Sequence, residues 1–338
     1  MTAQTAQTAT RAMTRMVCTA LGEGAELEAR REPVPSPASG EVVVELLAAG
    51  VSFVDALVVR GGYQVSPDLP FTPGNCLVGT VVAVGYGAPD TMLGSVVAAV
   101  LDGLGGAFST HVVLPADGLA IVPDGVDPVP LAAAIESYLT VLFAATHRVS
   151  IEPGDRVVVL GAAGGIGSAA IDIARSRGAR IVAVASSDEK RQAALARGAE
   201  AAIGYDELKQ GIRAATGSGA DIVIDPVGGE ATEQALRALG EGGRLLVLGF
   251  ASGGIPRLPV NQVLLSNRSV IGVDWGDWIR RPGGRVRNVA LLEQLLALFA
   301  SGELQPARPT AAPLAEAGRV LALISGRDAV GKHVLVPS

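Results

Sequence analysis

Short apolar segments alternate with amphipathic helical patterns through the second half of the chain, from Asp155 onward. Six such segments are present: Arg156 to Leu160, Arg180 to Ala185, Ala201 to Ile203, Asp221 to Ile224, Arg244 to Gly249 and Ser269 to Val273. Strands that alternate with helices predict an α/β fold with a doubly wound parallel sheet of six strands. Segments such as IVAVA and RLLVLG are apolar at nearly every position, which is typical of strands covered by helices on both faces.

The first part of the chain has a different sequence pattern, in which glycine and proline interrupt short β-like runs. These runs are Glu41 to Leu47, Leu77 to Val84, Val96 to Val100 and His111 to Leu114. They predict a separate antiparallel β domain. After Trp278 an apolar helix over 285–300 and a strand in GKHVLVP form a tail too small to fold alone, so we expect it to return to the β domain. The predicted organisation is a disordered leader over 1–15, a β domain over 16–134 completed by 277–338, and a dinucleotide-binding domain over 135–276.

A glycine turn joins the first strand of the parallel sheet to the helix that follows it. The turn reads GAAGGIG over 161–167 and fits A-x-G-x-x-G, with Ala162 in the first glycine slot. Alanine serves there if its φ is negative, Gly164 lets the backbone approach a phosphate, and Gly167 lets the helix pack on the strand. The first helical turn directs free N–H groups and the positive dipole end at a bound pyrophosphate. The candidate cofactor residues here are Gly161, Ala163, Gly164, Gly165, Ile166 and Gly167.

The end of the second strand indicates which nicotinamide cofactor is bound. NAD-binding folds carry an acidic side chain about 20 residues past the glycines, for the ribose hydroxyls. Here Ala185, Ser186 and Ser187 occupy that place, and Lys190 and Arg191 follow. Small hydroxyls and cations suit the 2′-phosphate of NADPH. The alternative is that the two cations only solvate a helix start.

Tyr205 follows the third strand of the parallel sheet. At that position it either stacks on the adenine of a bound dinucleotide or caps the sheet.

Composition narrows the classes of function. The chain has 338 residues, 49% hydrophobic and 18% charged, with a net charge of −6 and no cluster of basic residues that would predict nucleic-acid binding. We see no apolar run of the roughly 18 residues that a membrane helix needs. Two cysteines are too few for a disulfide framework, which suits a cytoplasmic protein. The three histidines, His111, His147 and His333, lie far apart, so no metal site is predicted.

Several segments together resemble the zinc-free branch of the medium-chain dehydrogenases/reductases, in particular the quinone oxidoreductase group that includes zeta-crystallin. They are VSFVDALVVRGGYQ (51–64), LPFTPGNCLVGTVVAVG (69–85), GGAFSTHVV (105–113), YLT (138–140), GAAGGIG (161–167), DIVIDPVGG (221–229), LGFASG (248–253), VDWG (273–276) and GKHVLVP (331–337). The resemblance implies a GroES-like β domain built from both chain ends and a Rossmann domain that binds NADPH. Zinc-bearing relatives carry Gly-His-Glu where this chain has Gly74-Asn75-Cys76.

The same resemblance assigns further cofactor residues. Thr140 is expected at the nicotinamide end, Lys190 at the 2′-phosphate and Tyr205 on the adenine side. Phe250, Ala251 and Ser252 are expected near the nicotinamide ribose, and Lys332 in the closing segment is a further candidate. A homodimer is also implied, and the apolar sixth strand SVIGVDW is suited to pair edge to edge with its mate.

Two positions on the substrate side depart from the family pattern. Ser52 stands where relatives usually have Asn, and Cys76 stands where they usually have Glu or another acid. These departures leave room for a specialised biosynthetic substrate. Cys76 is interpreted either as a reactive thiol or as a small packed side chain.

Hydride transfer to a conjugated carbonyl leaves negative charge on an oxygen, so the site needs a hydrogen-bond donor. Tyr63 matches the tyrosine that related enoyl-thioester reductases place beside the substrate, and its alternative role is an ordinary loop tyrosine. Ser52 is the second candidate donor, whereas Asp55 is expected to anchor the loop. Trp275 and Trp278 either form a flat wall for a planar substrate or serve the core or a dimer interface.

The predicted function is an NADPH-dependent, zinc-independent reductase of quinones or other conjugated carbonyls. One alternative is an enoyl-thioester reductase or a specialised enone reductase. A thioester carrier would need a basic groove, which the arginines at 280, 281, 285 and 287 are placed to supply. The other alternative is a non-catalytic NADPH-binding protein.

Overall fold

The computed structural model describes residues 12–63, 65–101, 105–326 and 331–337. Within them the chain forms two compact units, one made of the residues up to Ile135 and those from Ala307 on, the other of Glu136–Pro306. The strands are β1 Ala12–Cys18, β2 Leu27–Pro33, β3 Glu41–Val51, β4 Cys76–Val84, β5 Val96–Val100, β6 His111–Pro115, β7 Leu119–Ile121, β8 Arg156–Leu160, β9 Arg180–Val184, β10 Ala201–Ile203, β11 Ala220–Asp225, β12 Leu239–Val247, β13 Ser269–Gly272, β14 Thr310–Pro313 and β15 His333–Val336. The helices are α1 Phe53–Val59, α2 Pro128–Phe143, α3 Gly165–Ser176, α4 Asp188–Ala196, α5 Leu208–Thr216, α6 Gly229–Ala238, α7 Val260–Leu264, α8 Trp275–Arg280, α9 Gly284–Ala300 and α10 Ala317–Gly326.

The first unit is built on a mixed sheet with the strand order β14-β15-β3-β4-β5-β7, and β6 pairs with β3. All of its pairings are antiparallel except that of β14 with β15. The long strand β3 supplies much of the core, because Val42, Val44, Leu46 and Ala49 are each at most 1% exposed. The predicted β domain is therefore present, and it includes residues from both the N-terminal and the C-terminal part of the chain.

The second unit contains a six-stranded parallel sheet with the order β10-β9-β8-β11-β12-β13. This is the doubly wound order, in which the strand order reverses between β8 and β11 while all strands stay parallel. Five predicted strands agree with the structure to within a residue at each end. The remaining predicted strand, Arg244 to Gly249, corresponds to β12, which spans Leu239–Val247; it starts earlier because Leu239 pairs with Ala220 before the register shifts. The glycine-rich segment between Leu239 and Arg244 reads as a turn in the sequence.

The predicted domain boundaries are wrong at two places. Residues 277–306 belong to the parallel-sheet unit, and only the chain from Ala307 returns to the β unit. Contacts across the second unit explain this, because Trp275 donates its indole N–H to Asn288 Oδ1 at 3.1 Å and the Phe299 ring lies 5.2 Å from that of Tyr138. Residues 12–15, predicted to be leader, belong to β1, where Ala12 pairs with Pro33. Residues 1–11 lie outside the described residues.

One helical segment is longer and more apolar than the sequence pattern predicts. The continuous helix Pro128–Arg148, which joins α2 to a π-helical turn over Ala144–Arg148, has the length and composition of a membrane span. However, 72% of the most apolar 18-residue stretch of this helix is buried inside the protein. That burial is what a core helix requires.

Candidate functional site: a dinucleotide-binding edge

Apart from Thr140 on α2, the predicted cofactor residues of the second unit lie along one edge of the parallel sheet. The glycine turn follows β8, Ser186 and Ser187 follow β9, Tyr205 follows β10, and Phe250–Ser252 follow β12. This is the edge formed by the carboxyl ends of the strands, and β8 borders the point where the strand order reverses. Open α/β sheets bind their ligands in this place.

Close packing shapes the glycine turn. Gly161 takes a φ of +61°, whereas Ala162 is not among the residues with positive φ and is 1% exposed. The left-handed residue is therefore one position earlier than the slot that Ala162 fills, and alanine fits that slot without strain. A Cβ on Gly167 would lie 2.2 Å from the Gly161 carbonyl oxygen, so only glycine allows α3 to approach the turn so closely.

The start of α3 is suited to hold an anion. Gly164 is the N-cap, it is exposed, and no side chain caps the helix there. The first turn of α3 contains no acidic residue. Uncapped N–H groups and the positive end of the helix dipole attract phosphate oxygens. The turn fits the pyrophosphate of a dinucleotide.

Tyr205 supports the glycine turn from the end of β10, which is separated from β8 by β9 in the sheet. Its hydroxyl accepts the Gly161 N–H at 2.9 Å, and its half-buried ring packs on the core beneath the sheet edge. Burial raises the pKa of the Tyr205 phenol above its ordinary value. This contact agrees with the alternative in which Tyr205 caps the sheet, and stacking on adenine stays a prediction.

The end of β9 presents hydroxyl groups and one cation. Ala185 is buried, Ser186 is exposed, and the Ser187 hydroxyl accepts the Lys190 N–H at 3.3 Å as the N-cap of α4. Arg191 is occupied locally, because its guanidinium donates to the Ala185 carbonyl at 3.1 Å and to the Asp188 carboxylate. The ammonium of Lys190 is exposed and has no partner among the described residues. Lys190 is thus the cation at this edge that is able to meet a phosphate.

A buried carboxylate that was not among the predicted site residues organises the loop after β11. Asp225 is fully buried, and it accepts the N–H groups of Val227 and Gly228 at 2.7 and 3.0 Å and the Thr232 hydroxyl at 2.5 Å. The loop after β12 is joined to it, since the Ala251 N–H donates to Pro226 at 3.0 Å. The sequence signal that could have identified Asp225 is an acidic residue at the last position of an apolar strand.

The loop after β12 holds the three residues expected near the nicotinamide ribose. Ser252 donates its N–H to the Val227 carbonyl at 2.8 Å, and Phe250, which is 43% exposed, lies at the solvent side with Ala251. The backbone bonds fix this loop beside the switch point and leave its side chains open to a ligand.

The tryptophans have different surroundings. Trp275 is 8% exposed, and its indole is held by Asn288, so it does not offer a flat face to a substrate. The Trp278 ring contacts Phe143 and His147, with centroids 5.1 and 4.9 Å apart, and the Arg287 guanidinium lies 5.1 Å from it. Both contribute to packing within the second unit, as the structural alternative predicts. Thr140, on α2, returns its hydroxyl to the Glu136 carbonyl at 2.8 Å.

In the first unit, Ser52 and Asp55 form a capping box at the start of α1. The Ser52 hydroxyl accepts the Asp55 N–H at 3.1 Å, and the Asp55 carboxylate accepts the Ser52 N–H at 2.8 Å. Asp55 therefore anchors the loop as predicted. The Ser52 oxygen uses a lone pair in this contact and keeps its own proton for donation.

The remaining candidates of the first unit lie on three different elements. Tyr63 is half-buried in the bend after α1, and Lys332 is half-buried just before β15. Cys76 begins β4 and is 1% exposed. Its burial agrees with a packed thiol rather than a reactive one. Among the residues that the structure describes, no group of three His, Cys, Asp or Glu side chains is arranged to hold a metal ion.

A mixed β unit joined to a doubly wound unit with a glycine turn defines the class of medium-chain dehydrogenases/reductases. Residues 38–124 match the alcohol dehydrogenase GroES-like domain, and residues 165–297 match the family described as zinc-binding dehydrogenase. Quinone oxidoreductase-like protein 2 of Bos taurus is 34% identical over 313 residues, which cover 90% of this chain and 87% of that protein.

Two solved structures are similar to the whole chain. The quinone oxidoreductase of Escherichia coli, complexed with NADPH, has a TM-score of 0.85 and 28% identity, covering 96% of this chain and 100% of that chain. The quinone oxidoreductase of Thermus thermophilus has a TM-score of 0.81 and 31% identity, with coverages of 96% and 99%. The chain belongs to the quinone oxidoreductase family of medium-chain dehydrogenases/reductases, and it is an oxidoreductase by that membership.

Proposed function

We propose that the protein is an NADPH-dependent oxidoreductase that reduces quinones or other conjugated carbonyl compounds without a zinc ion. The observation that carries this proposal is the sheet edge after β8 and β9. A glycine turn suited to a pyrophosphate lies there beside a strand end that has hydroxyl groups and the Lys190 ammonium. The similar quinone oxidoreductases of E. coli and T. thermophilus, solved as complexes with NADPH, support the same assignment.

The preference for NADPH over NADH follows from charge at the end of β9. A carboxylate in this place would repel a 2′-phosphate and bind the free ribose hydroxyls instead. The first acid after β9 is Asp188, and its carboxylate already pairs with Arg191. Ser186, Ser187 and Lys190 are left to receive the phosphate.

Bound NADPH supplies a hydride, which carries two electrons to one atom of the conjugated acceptor. The acceptor oxygen then takes a proton, so that a quinone and a proton with NADPH yield a hydroquinone and NADP⁺. The candidate donors to that oxygen are the phenol of Tyr63 and the hydroxyl of Ser52. A donor in a site without metal stabilises the developing negative charge by a hydrogen bond.

Zinc independence rests on the segment Gly74-Asn75-Cys76, where zinc-bearing relatives have Gly-His-Glu. Asn is a poor ligand for zinc, which prefers Cys, His and carboxylate groups. The remaining thiol, Cys76, is packed in β4 at 1% exposure. A metal assay on the purified protein that finds stoichiometric zinc, removable only with loss of activity, would contradict this part of the proposal.

The enoyl-thioester alternative has weaker support. Arg281 pairs with Asp277 at 2.6 Å, and Arg287 donates to the carbonyls of Pro282 and Trp278 at 3.0 and 3.1 Å. Two of the four arginines expected to form a basic groove are therefore engaged by their own surroundings. A surface arginine already paired in this way attracts a phosphate less strongly.

We further propose a homodimer in a reducing compartment, the cytoplasm. The dimer is supported by β13, which pairs with β12 on one side, and Val270 on it is 39% exposed. An exposed apolar edge strand favours pairing with a second copy. Both cysteines are free thiols, which suits a reducing environment. Sedimentation of the protein as a monomer would contradict the dimer, and recovery from a membrane or secreted fraction would contradict the location.

The decisive experiment follows the loss of reduced-nicotinamide absorbance with NADPH and then with NADH. The acceptors are para- and ortho-quinones, simple enones and enoyl thioesters. Rapid oxidation of NADPH with quinones supports the proposal, and activity confined to enoyl thioesters would replace it with the rival. Tight NADPH binding without oxidation by any acceptor would indicate a binding protein.

A further inference from the structure

A buried polar cluster lies inside the second unit, away from the exposed edge that the glycine turn forms. Its members are Tyr138, Asp172 and Arg197, and Tyr138 and Asp172 are 3% and 2% exposed. The Tyr138 hydroxyl donates to the Asp172 carboxylate. Arg197 contacts both partners, with Nε 3.0 Å from Asp172 Oδ1 and Nη2 donating to the Tyr138 oxygen at 3.2 Å. All three side chains therefore share one hydrogen-bond network.

The network joins three helices that each carry a proposed cofactor residue. Tyr138 lies on α2 together with Thr140, and Asp172 lies on α3, whose first turn faces the pyrophosphate. Arg197 is the C-cap of α4, whose opposite end begins with Ser187 and Lys190. Arg197 Nε also lies 3.3 Å from the Ser168 carbonyl oxygen on α3. Tyr138 from α2 and Arg197 from α4 thus both contact residues of α3.

Such a network is not needed for burial alone. Asp172 interrupts an apolar segment in which Ile171 and Ile173 are each at most 1% exposed. Burial is the largest influence on the Asp172 carboxyl and raises its pKa, and the contacts with Tyr138 and Arg197 oppose that rise. Apolar side chains of similar volume often stabilise such a position as well as a buried ion pair does. What they lack is the directional hydrogen bond that sets the rotation and offset of a helix.

We propose that Tyr138, Asp172 and Arg197 are positioning residues for NADPH, which hold α2 and α4 in one arrangement against α3. Tyr138 lies about 200° around the axis of α2 from Thr140, so its bond to Asp172 fixes the direction in which Thr140 is presented. Arg197 fixes α4, and with it Lys190, relative to the glycine turn. The inference rests on the proposed function, since it assigns the three helices to one bound dinucleotide.

The test compares the dissociation constants of NADPH and of its fragment 2′,5′-ADP, which lacks the nicotinamide half. Tyr138→Phe releases α2 only, so we expect NADPH to bind about tenfold more weakly, as for one lost hydrogen bond to a charged group, with 2′,5′-ADP within about twofold of wild type. Arg197→Gln releases α4, and we expect both ligands to bind about tenfold more weakly. Arg197→Lys keeps the positive charge but loses the planar guanidinium that bonds Asp172 and Tyr138 together. It serves as the second variant if Tyr138→Phe does not fold.

Asp221→Asn is the matched control, because it removes a different ion pair of the same unit. Asp221 meets Arg156, at the opposite end of β8 from the glycine turn. We expect this variant to melt at a lower temperature and to bind both ligands as wild type does.

Three results would overturn the proposal. They are unchanged affinities in both network variants, an equal loss of both ligands in Tyr138→Phe, and the same losses in Asp221→Asn. Failure of the wild-type protein to bind NADPH would instead overturn the proposed function, and the positioning role with it.

Discussion

Two glycines of the same turn are expected to respond differently to alanine. In Gly167→Ala the new Cβ would lie 2.2 Å from the Gly161 oxygen and 2.6 Å from the Ala162 Cα. Real Cβ atoms essentially never come closer than 3.0 Å, so α3 and the turn must separate by at least about 0.8 Å. Both neighbours are backbone atoms, and no flexible side chain is able to move aside. Overpacking of this kind costs about 1–3 kcal/mol.

The cost appears in both stability and cofactor binding. A loss of 1–3 kcal/mol lowers the melting temperature by roughly 2–12 °C for a unit of this size. The shift also misaligns the N–H groups at the start of α3, and the loss of one hydrogen bond to a phosphate corresponds to about tenfold to hundredfold weaker NADPH binding.

Gly164→Ala is the matched control in the same turn. Its Cβ would lie 3.3 Å from the Gly161 oxygen, φ at this residue is −77°, and the side chain would face the exposed start of α3. The weaker N-cap is offset by the smaller entropy of the unfolded chain, so we expect stability within about 1 kcal/mol of wild type. NADPH binding should still weaken, because the methyl group occupies the approach of the pyrophosphate.

Thermal unfolding and a fluorescence titration with NADPH measure the two quantities. Wild-type NADPH affinity in Gly167→Ala, together with a lowered melting temperature, would show that the turn does not hold the cofactor. An unchanged melting temperature would show that α3 does not pack as closely as described.

Three further predictions concern single side chains. Lys190→Ala should raise the KM for NADPH severalfold and leave that for NADH unchanged, because only NADPH has a 2′-phosphate for the ammonium; equal changes for both cofactors in steady-state assays would remove Lys190 from that role. Tyr63→Phe should lower kcat by about a hundredfold with little effect on NADPH affinity if the phenol supplies the proton, and unchanged turnover with every accepted quinone would exclude it. The hydrogen bond from Arg156 lowers the pKa of Asp221, so this pair stabilises the fold above the unfolded pKa of 3.8 and the contribution is lost as the pH falls below it. As the pH falls through this pKa, the urea midpoint of unfolding should decrease less steeply in Asp221→Asn than in wild type. Parallel plots of urea midpoint against pH for the two proteins would contradict a stabilising role of the pair.

Much of the parallel-sheet unit is predictable because its signals are local. Each buried strand is a short apolar segment, each helix repeats its apolar positions, and the turn after β8 contains glycines at a characteristic spacing. The position of the cofactor edge follows from these, because the carboxyl ends of parallel strands share one edge. Five strands of the β unit, β3 to β6 and β15, were predictable for the same reason, through runs such as Val96–Val100, whereas β1, β2, β7 and β14 were not predicted.

Contacts between distant residues were not predictable. The helix α9 reads as a generic apolar helix, and its place in the second unit depends on Asn288 meeting Trp275 and Phe299 meeting Tyr138. The sequence is compatible with Tyr205 as an adenine platform or as a sheet cap, and its hydrogen bond with the Gly161 N–H depends on the packed structure. Both outcomes depend on side chains that come together only in the packed structure.

The sequence by itself determined the class of fold, the dinucleotide turn and the lack of an acid at the end of β9, since all three are written in consecutive residues. Tertiary structure decided that 277–306 stays with the parallel sheet and that Trp275 belongs to the core. It also decided that Tyr138, Asp172 and Arg197 form one network. The physical reason is that periodicity and turn chemistry act over a few residues, whereas burial and hydrogen bonding between helices depend on how the whole chain packs.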